Sequence, residues 1–242
     1  MAVLGKIIGG AAGFALGGPL GALVGAAAGH AVDRLRDTDD EADDATRQTA
    51  FTIAVIALSA KMAKADGQVT PDEVNAFRQI LDVPEDELKN VGRVFDLARK
   101  DARGFEPYAK QVAKMFIDRP AVLEELLDAL FHIAKADRIM HPQEEEFLKQ
   151  VSDIFGFDDA KFARIRAGHL GADASDPYAI LGVPHDADTD TVRAAWRVLI
   201  KENHPDKLVA EGLPQDFIDM ATSKMATINN AWGTIQKQRG LK

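Results

Sequence analysis

The chain has 242 residues, 46% of them hydrophobic and 28% charged, the balance of a folded protein with room for one large domain or two small ones. It contains no cysteine, which excludes disulfides and thiolate metal sites and is compatible with a reducing compartment. Its net charge of −9 makes it a poor candidate for binding nucleic acid, where phosphate neutralisation supplies most of the affinity, and that function is set aside.

Residues 7–32 form the first element and carry no charged side chain apart from a protonatable His30. About 20 apolar residues cross a bilayer as a helix, so residues 1–32 are read as a membrane anchor. Glycines recur at every fourth position from Gly5 to Gly29, including Gly9, Gly13, Gly17, Gly21 and Gly25. On a helix they make a ridge that lets a second helix backbone approach closely, which predicts a homodimer through this segment. Two topologies are open. One is a single span from about Ile7 to Val32. The other is a hairpin in which Gly17-Gly18 ends one helix and Pro19 opens the next. Each hairpin arm would be roughly 21 Å long and too short to span alone. A cleaved signal peptide ending near Ala26-Ala27-Ala28 and a soluble, self-packed segment are the rivals to insertion.

Residues 33–46 read as a solvated acidic connector: the stretch 33–44 holds seven acids and two arginines, −5 of the chain's −9. Residues 47–167 show helical punctuation and no strand alternation. Phe51 to Ala65 is apolar almost all round, the mark of a central buried helix. Later helices are predicted to open at Pro71, Pro84, Pro107, Pro120 and Pro142. An internal repeat lies in this block: Ala63-Lys64-Ala65-Asp66 with Pro71-x-Glu73 returns as Ala134-Lys135-Ala136-Asp137 with Pro142-x-Glu144, each half a helix, a turn and a helix. A pseudo-symmetric helical bundle follows. Asp66, Glu73, Asp137 and Glu144 could ligate a hard cation, but Thr70-Pro71-Asp72-Glu73 reads better as a capping box, so no metal is assigned. His132 is read as a packed core histidine.

Residues 168–175 are small and polar and suit a flexible linker. Beyond it, Pro177–Leu181 makes a short helix stopped at Gly182. Thr189 caps a second helix running to about Asn203, with Val192, Ala195, Trp196, Leu199 and Ile200 on its apolar face. Arg193, Arg197 and Lys201 fall four apart on another face as a basic stripe. Then come His204-Pro205-Asp206, a loop, and a helix opening at Pro214. Its Phe217, Ala221, Lys224 stem, Ile228, Ala231, Trp232 and Ile235 are predicted to pack back on the second helix. The fold class is therefore all-α, ending in an antiparallel helical finger with the tripeptide at its tip. No nucleophile accompanies His204 and Asp206, so no enzyme is inferred.

Residues 176–242 resemble the J domain of DnaJ-type proteins, with DPYAILGV, RAAWRVLIKENHPDK and INNAW in order and spacing. Residues 47–167 look like the TerB (tellurite-resistance) domain on the KADG and P-x-E positions, with Arg138 in the second copy where Gly67 stands in the first. Together with the glycine-rich N-terminus, the whole chain is similar to the membrane-anchored DjlA family of co-chaperones. That resemblance implies that His204, Pro205 and Asp206 engage a DnaK-type chaperone and stimulate its ATPase, with Arg193, Arg197 and Lys201 steering the finger onto an acidic partner face. It implies no cofactor. It also places the protein in a bacterial inner membrane with its C-terminal domains in the cytoplasm. Trp196 and Trp232 stand where the family more often has tyrosine, and Val198 where a second basic residue often follows Arg197. The alternative reading makes the TerB-like bundle a stress-response interaction or metal-binding module, with the J domain a minor appendage.

Overall fold

The computed structural model describes residues 18–28, 40–66, 71–81, 85, 88–101, 104–136, 140–169 and 176–241. All regular structure among the described residues is helical. The bundle is built around helix α2 (Asp40–Asp66), in which every residue from Ala50 to Ala63 is buried. Such a helix must be covered on all sides. Its neighbours are α1 (Gly18–Ala28), α4 (Leu88–Lys100), α5 (Glu106–Met115), α6 (Pro120–Ala134) and α7 (Pro142–Ile154), while α3 (Pro71–Ile80) lies against α6. The predicted repeat is realised as the pairs α2–α3 and α6–α7.

Three boundaries differ from the sequence reading. The second half of the acidic connector is helical: α2 begins at Asp40, where a run of acids meets the partial positive charge of a helix N-terminus. Pro84 lies outside the described residues, and the helix expected there opens at Leu88. Gly168 and His169, assigned to a linker, are the last residues of α8 (Asp159–His169). Among the described residues no three His, Asp or Glu side chains converge as metal ligands. Asp137 and the side chains of Asp66 and Glu73 lie outside that description. Glu144, buried, accepts the His141 N–H at 3.0 Å as an N-terminal cap.

The N-terminal segment departs further. Gly18 has a φ of 58°, a left-handed conformation that only glycine adopts without strain, so no unbroken helix passes through it. The break falls where the hairpin reading put it; residues 7–17 and 29–32 of the expected single span lie outside the described residues. The helix after the break is packed on protein: Leu20 and Leu23 are buried in the bundle core, Gly21 is buried, and Leu20 N–H donates to Gln111 Oε1 at 3.0 Å. No helix among the described residues is long and apolar enough to cross a membrane. Gly9, Gly13 and Gly17 lie outside the described residues.

The C-terminal finger comprises α9 (Pro177–Leu181), α10 (Thr189–Glu202), α11 (Pro205–Ala210) and α12 (Gln215–Arg239). Asp188, not Thr189, caps α10, its Oδ1 accepting the Thr191 N–H at 2.7 Å. The expected loop after the tripeptide is the short helix α11, for which Pro205 supplies a suitable first residue. Two apolar cores result, and both cross from bundle to finger. The larger takes Leu208, Leu213, Phe217, Ile218 and Ala221 from the finger; the smaller takes Ala167 from α8.

Candidate functional site

The finger tip is positioned by its stem. On α10, Val192 and Leu199 are buried against Ile228, Ala231, Trp232 and Ile235 of α12. Trp196 stacks on Trp232 with ring centroids 5.6 Å apart, and its indole N–H donates to Asn229 Oδ1 at 2.9 Å. The two tryptophans thus occupy their positions as a matched pair that pins α10 to α12. At the end of α10, Asn203 is buried and bonds back to the Leu199 carbonyl through both its backbone N–H (3.0 Å) and its side-chain amide (2.8 Å). That closes α10 in one residue and delivers His204 in extended conformation as the N-cap of α11.

His204 Nδ1 accepts the Asp206 N–H at 3.2 Å. The bond uses the Nδ1 lone pair, so the neutral ring carries its proton on Nε2. Nδ1 lies 3.7 Å from Asp206 Oδ2, an ion pair only if the ring takes a second proton. The imidazole is 48% exposed and the Asp206 carboxylate 92% exposed. Beneath them α11 is anchored: Leu208 is fully buried in the larger core, and Arg119 donates to the Glu211 carbonyl at 2.8 Å. The result is a short turn, stiffened by Pro205, that offers one N–H donor and one carboxylate to solvent from a fixed base.

The predicted basic stripe is divided. Arg197 and Lys201 are exposed, whereas Arg193 is half-buried, 3.3 Å from Asp190 Oδ1 and 6.0 Å from the centre of the Trp232 indole. Arg193 therefore belongs partly to the stem, and the open cationic face is Arg197 with Lys201.

Lys224 is the residue that sequence reasoning placed wrongly. Its stem was expected on α10, as were Phe217 and Ala221. Instead the first half of α12 faces the bundle: Phe217 meets Phe51 edge-on at 4.5 Å, and the Lys224 side chain, 15% exposed, enters a group of acids on α6. Its Nζ donates to Glu124 Oε1 (2.7 Å), to Glu125 Oε1 (3.0 Å) and to Asp128 Oδ2. Arg164 and Lys161 of α8 pair with Glu124 at 2.7 and 2.9 Å, and His169 Nε2 lies 2.8 Å from Asp128 Oδ1. The signal was present in α6: three acids sit inside an otherwise apolar helix, and buried carboxylates need cationic partners. His132, expected in the core, is instead exposed one turn beyond Asp128, at the rim of a cavity of about 250 Å³ between α6, α8 and α12.

Comparison with known proteins follows the same three-part division. Residues 1–50 match the co-chaperone DjlA transmembrane domain, residues 52–167 the tellurite resistance protein TerB family and residues 176–239 the DnaJ domain. The chain is DjlA-like, with the three matches in the order transmembrane domain, TerB and DnaJ. Relatives named co-chaperone protein DjlA include one from Aliivibrio fischeri, 28% identical over 83% of this chain and 83% of its own length. Another, from Vibrio parahaemolyticus, is 29% identical over 82% and 81%. A third, from Salmonella typhimurium, is 27% identical over 83% and 84%. No solved structure matches the chain at a significant level.

In the DjlA-like chain the acids around Lys224 titrate apart. Burial pushes Glu124 and Asp128 up, but their cations outweigh it and hold both below the ordinary carboxylate range. Burial dominates at Glu125, whose Oε2 has no hydrogen-bond partner among the described residues, and lifts its carboxyl to about 7. The folded protein therefore binds a proton there that the unfolded chain releases, so stability falls as pH rises from about 4.5 through 7. Glu125→Gln keeps the Lys224 bond and removes this slope. In urea unfolding the variant should match the parent at pH 5 and exceed it by roughly 2–3 kcal/mol at pH 8. Parallel pH profiles for the two proteins would show that Glu125 is an ordinary ionised acid.

Proposed function

We propose that the chain is a co-chaperone tethered at the cytoplasmic face of the bacterial inner membrane, where it binds a DnaK-type chaperone through its finger tip and stimulates ATP hydrolysis by it. The observation that carries the reading is the His204-Pro205-Asp206 turn, exposed and rigidly based at the end of a two-helix stem, inside the segment that matches the DnaJ domain. Such a turn has no cleft and no nucleophile of its own; it offers a fixed donor and a fixed carboxylate for recognition. The match of residues 1–50 to the DjlA transmembrane domain supports the tether, and a cytosolic partner requires that the finger face the cytoplasm. The proposal includes self-association through the glycine repeat Gly9, Gly13, Gly17, Gly21 and Gly25, of which Gly21 is already buried in the chain's own fold.

The direct test is a single-turnover ATPase assay with the cognate DnaK: stimulation by the intact chain supports the reading, and an unchanged basal rate overturns it. The electrostatic part is tested separately. Arg197 and Lys201 are solvent-exposed, so their pull on an acidic partner is screened beyond about 10 Å at 0.1 M salt. Wild-type affinity for DnaK should fall as salt rises, and Arg197→Glu should weaken binding at low salt with a shallower salt dependence. Salt-independent affinity would make the stripe an ordinary solvated face.

A further inference from the structure

We infer that the bundle itself docks on the bilayer, through an apolar and cationic face formed by α5 and the start of α1, with Ile117 entering the headgroup region and Lys110 and Lys114 meeting anionic lipid. The inference rests on the tethering reading and adds a surface to it. At one edge of the bundle, Gly18, Pro19, Pro107, Lys110, Lys114 and Met115 line an open groove of about 560 Å³. Residues 107, 110, 114 and 115 recur at helical spacing, so they form one face of α5 along the groove. In a chain of net charge −9 this groove is lined by two lysines and no acid, and among the described residues neither lysine makes an ion pair. Glu106 and Asp118 are exposed nearby but do not line it.

Two residues past Met115, Ile117 is 73% exposed, the most exposed large hydrophobic side chain among the described residues. A lone exposed isoleucine is unremarked on most surfaces. This one follows by two residues Met115, which lines the same groove as Gly18 and Pro19 of the segment matched to a transmembrane domain. The Leu20–Gln111 hydrogen bond fixes the start of α1 on α5, so the chain before Gly18 joins the bundle at this face. Lysines with an apolar side chain between them and the bilayer are the composition of an interfacial contact: the hydrocarbon inserts while the amines stay at the anionic headgroups.

The absence of cysteine makes the test direct. The full chain carrying Ile117→Cys with an environment-sensitive fluorophore is reconstituted in vesicles of phosphatidylcholine alone and of phosphatidylcholine with phosphatidylglycerol. A reporter at the exposed Gln238 position serves as the control. The Ile117 reporter should shift to the blue and lose iodide quenching with phosphatidylglycerol present, while the Gln238 reporter stays quenched. Each lysine near an anionic surface is worth about fivefold in the docked-to-undocked ratio, so Lys110→Glu with Lys114→Glu should restore quenching at Ile117. A chain retained through a carbonate wash whose Ile117 reporter stays quenched overturns this inference alone. Protection that ignores lipid charge and instead follows protein density also overturns it, in favour of contact with a second copy. A chain stripped by carbonate overturns the tethering reading and this inference together.

Discussion

His204→Gln should reduce stimulation of DnaK to the basal rate while leaving the far-ultraviolet circular dichroism unchanged. The side chain lies outside both apolar cores, is about half exposed, and makes one hydrogen bond with a backbone group, the 3.2 Å bond from the Asp206 N–H. Loss of such a cap costs about 1 kcal/mol, and glutamine can partly replace it, so the fold survives. What glutamine cannot reproduce is a planar ring held by its Nδ1 so that Nε2–H points outward from a proline-stiffened turn. The partner would meet a flexible amide in place of a preset donor, and the binding energy would go into ordering it. A His204→Gln protein that stimulates DnaK normally would remove the tip from the mechanism, whatever the rest of the chain does.

The finger stem was legible because its signals are local. Alternating faces on α10, a proline after His204 and a glycine after Leu181 each dictate backbone geometry within one or two turns. The internal repeat exposed the α2–α3 and α6–α7 pairs for the same reason. Two kinds of feature escaped. Helix starts that depend on a side-chain cap shifted by a residue, as when Asp188 took the role read onto Thr189. Tertiary choices between two apolar surfaces shifted by a whole domain. Phe217, Ala221 and Lys224 share one face of α12, and periodicity alone cannot say whether that face meets α10 or the bundle. Only the unpaired acids of α6 could have decided it, since Glu124, Glu125 and Asp128 needed a cation from somewhere and Lys224 is set among apolar residues at the matching end of α12. Gly18 shows the converse limit. The Gly-Gly-Pro break was visible, but the burial of Leu20 and Leu23 beside it depends on a groove that α4 and α5 create far along the chain.

Removal of the Lys224 charge should therefore loosen the finger from the bundle. The ammonium is held by three carboxylates that raise its pKa against the effect of burial, and Glu124, Glu125 and Asp128 are each at most 6% exposed. Lys224→Met fits the space but leaves these acids short of a cation. Breaking a buried ion pair from one side costs on the order of 3–5 kcal/mol. The loss falls toward the lower end, because Glu124 keeps Arg164 and Lys161, Asp128 keeps His169, and Glu125 can hold its proton at neutral pH. The expected signature is local. Amides from Phe217 to Lys224 and those of α11 should lose protection from hydrogen exchange, while the α10 amides packed on Ile228–Ile235 keep theirs, since that core does not use Lys224. Adding Glu125→Gln and Asp128→Asn to Lys224→Met should restore most of the lost stability, because no carboxylate is then left without its cation. A Lys224→Met protein within about 0.5 kcal/mol of the parent would mean that Lys224 turns out to solvent and that the finger is not held by this charge.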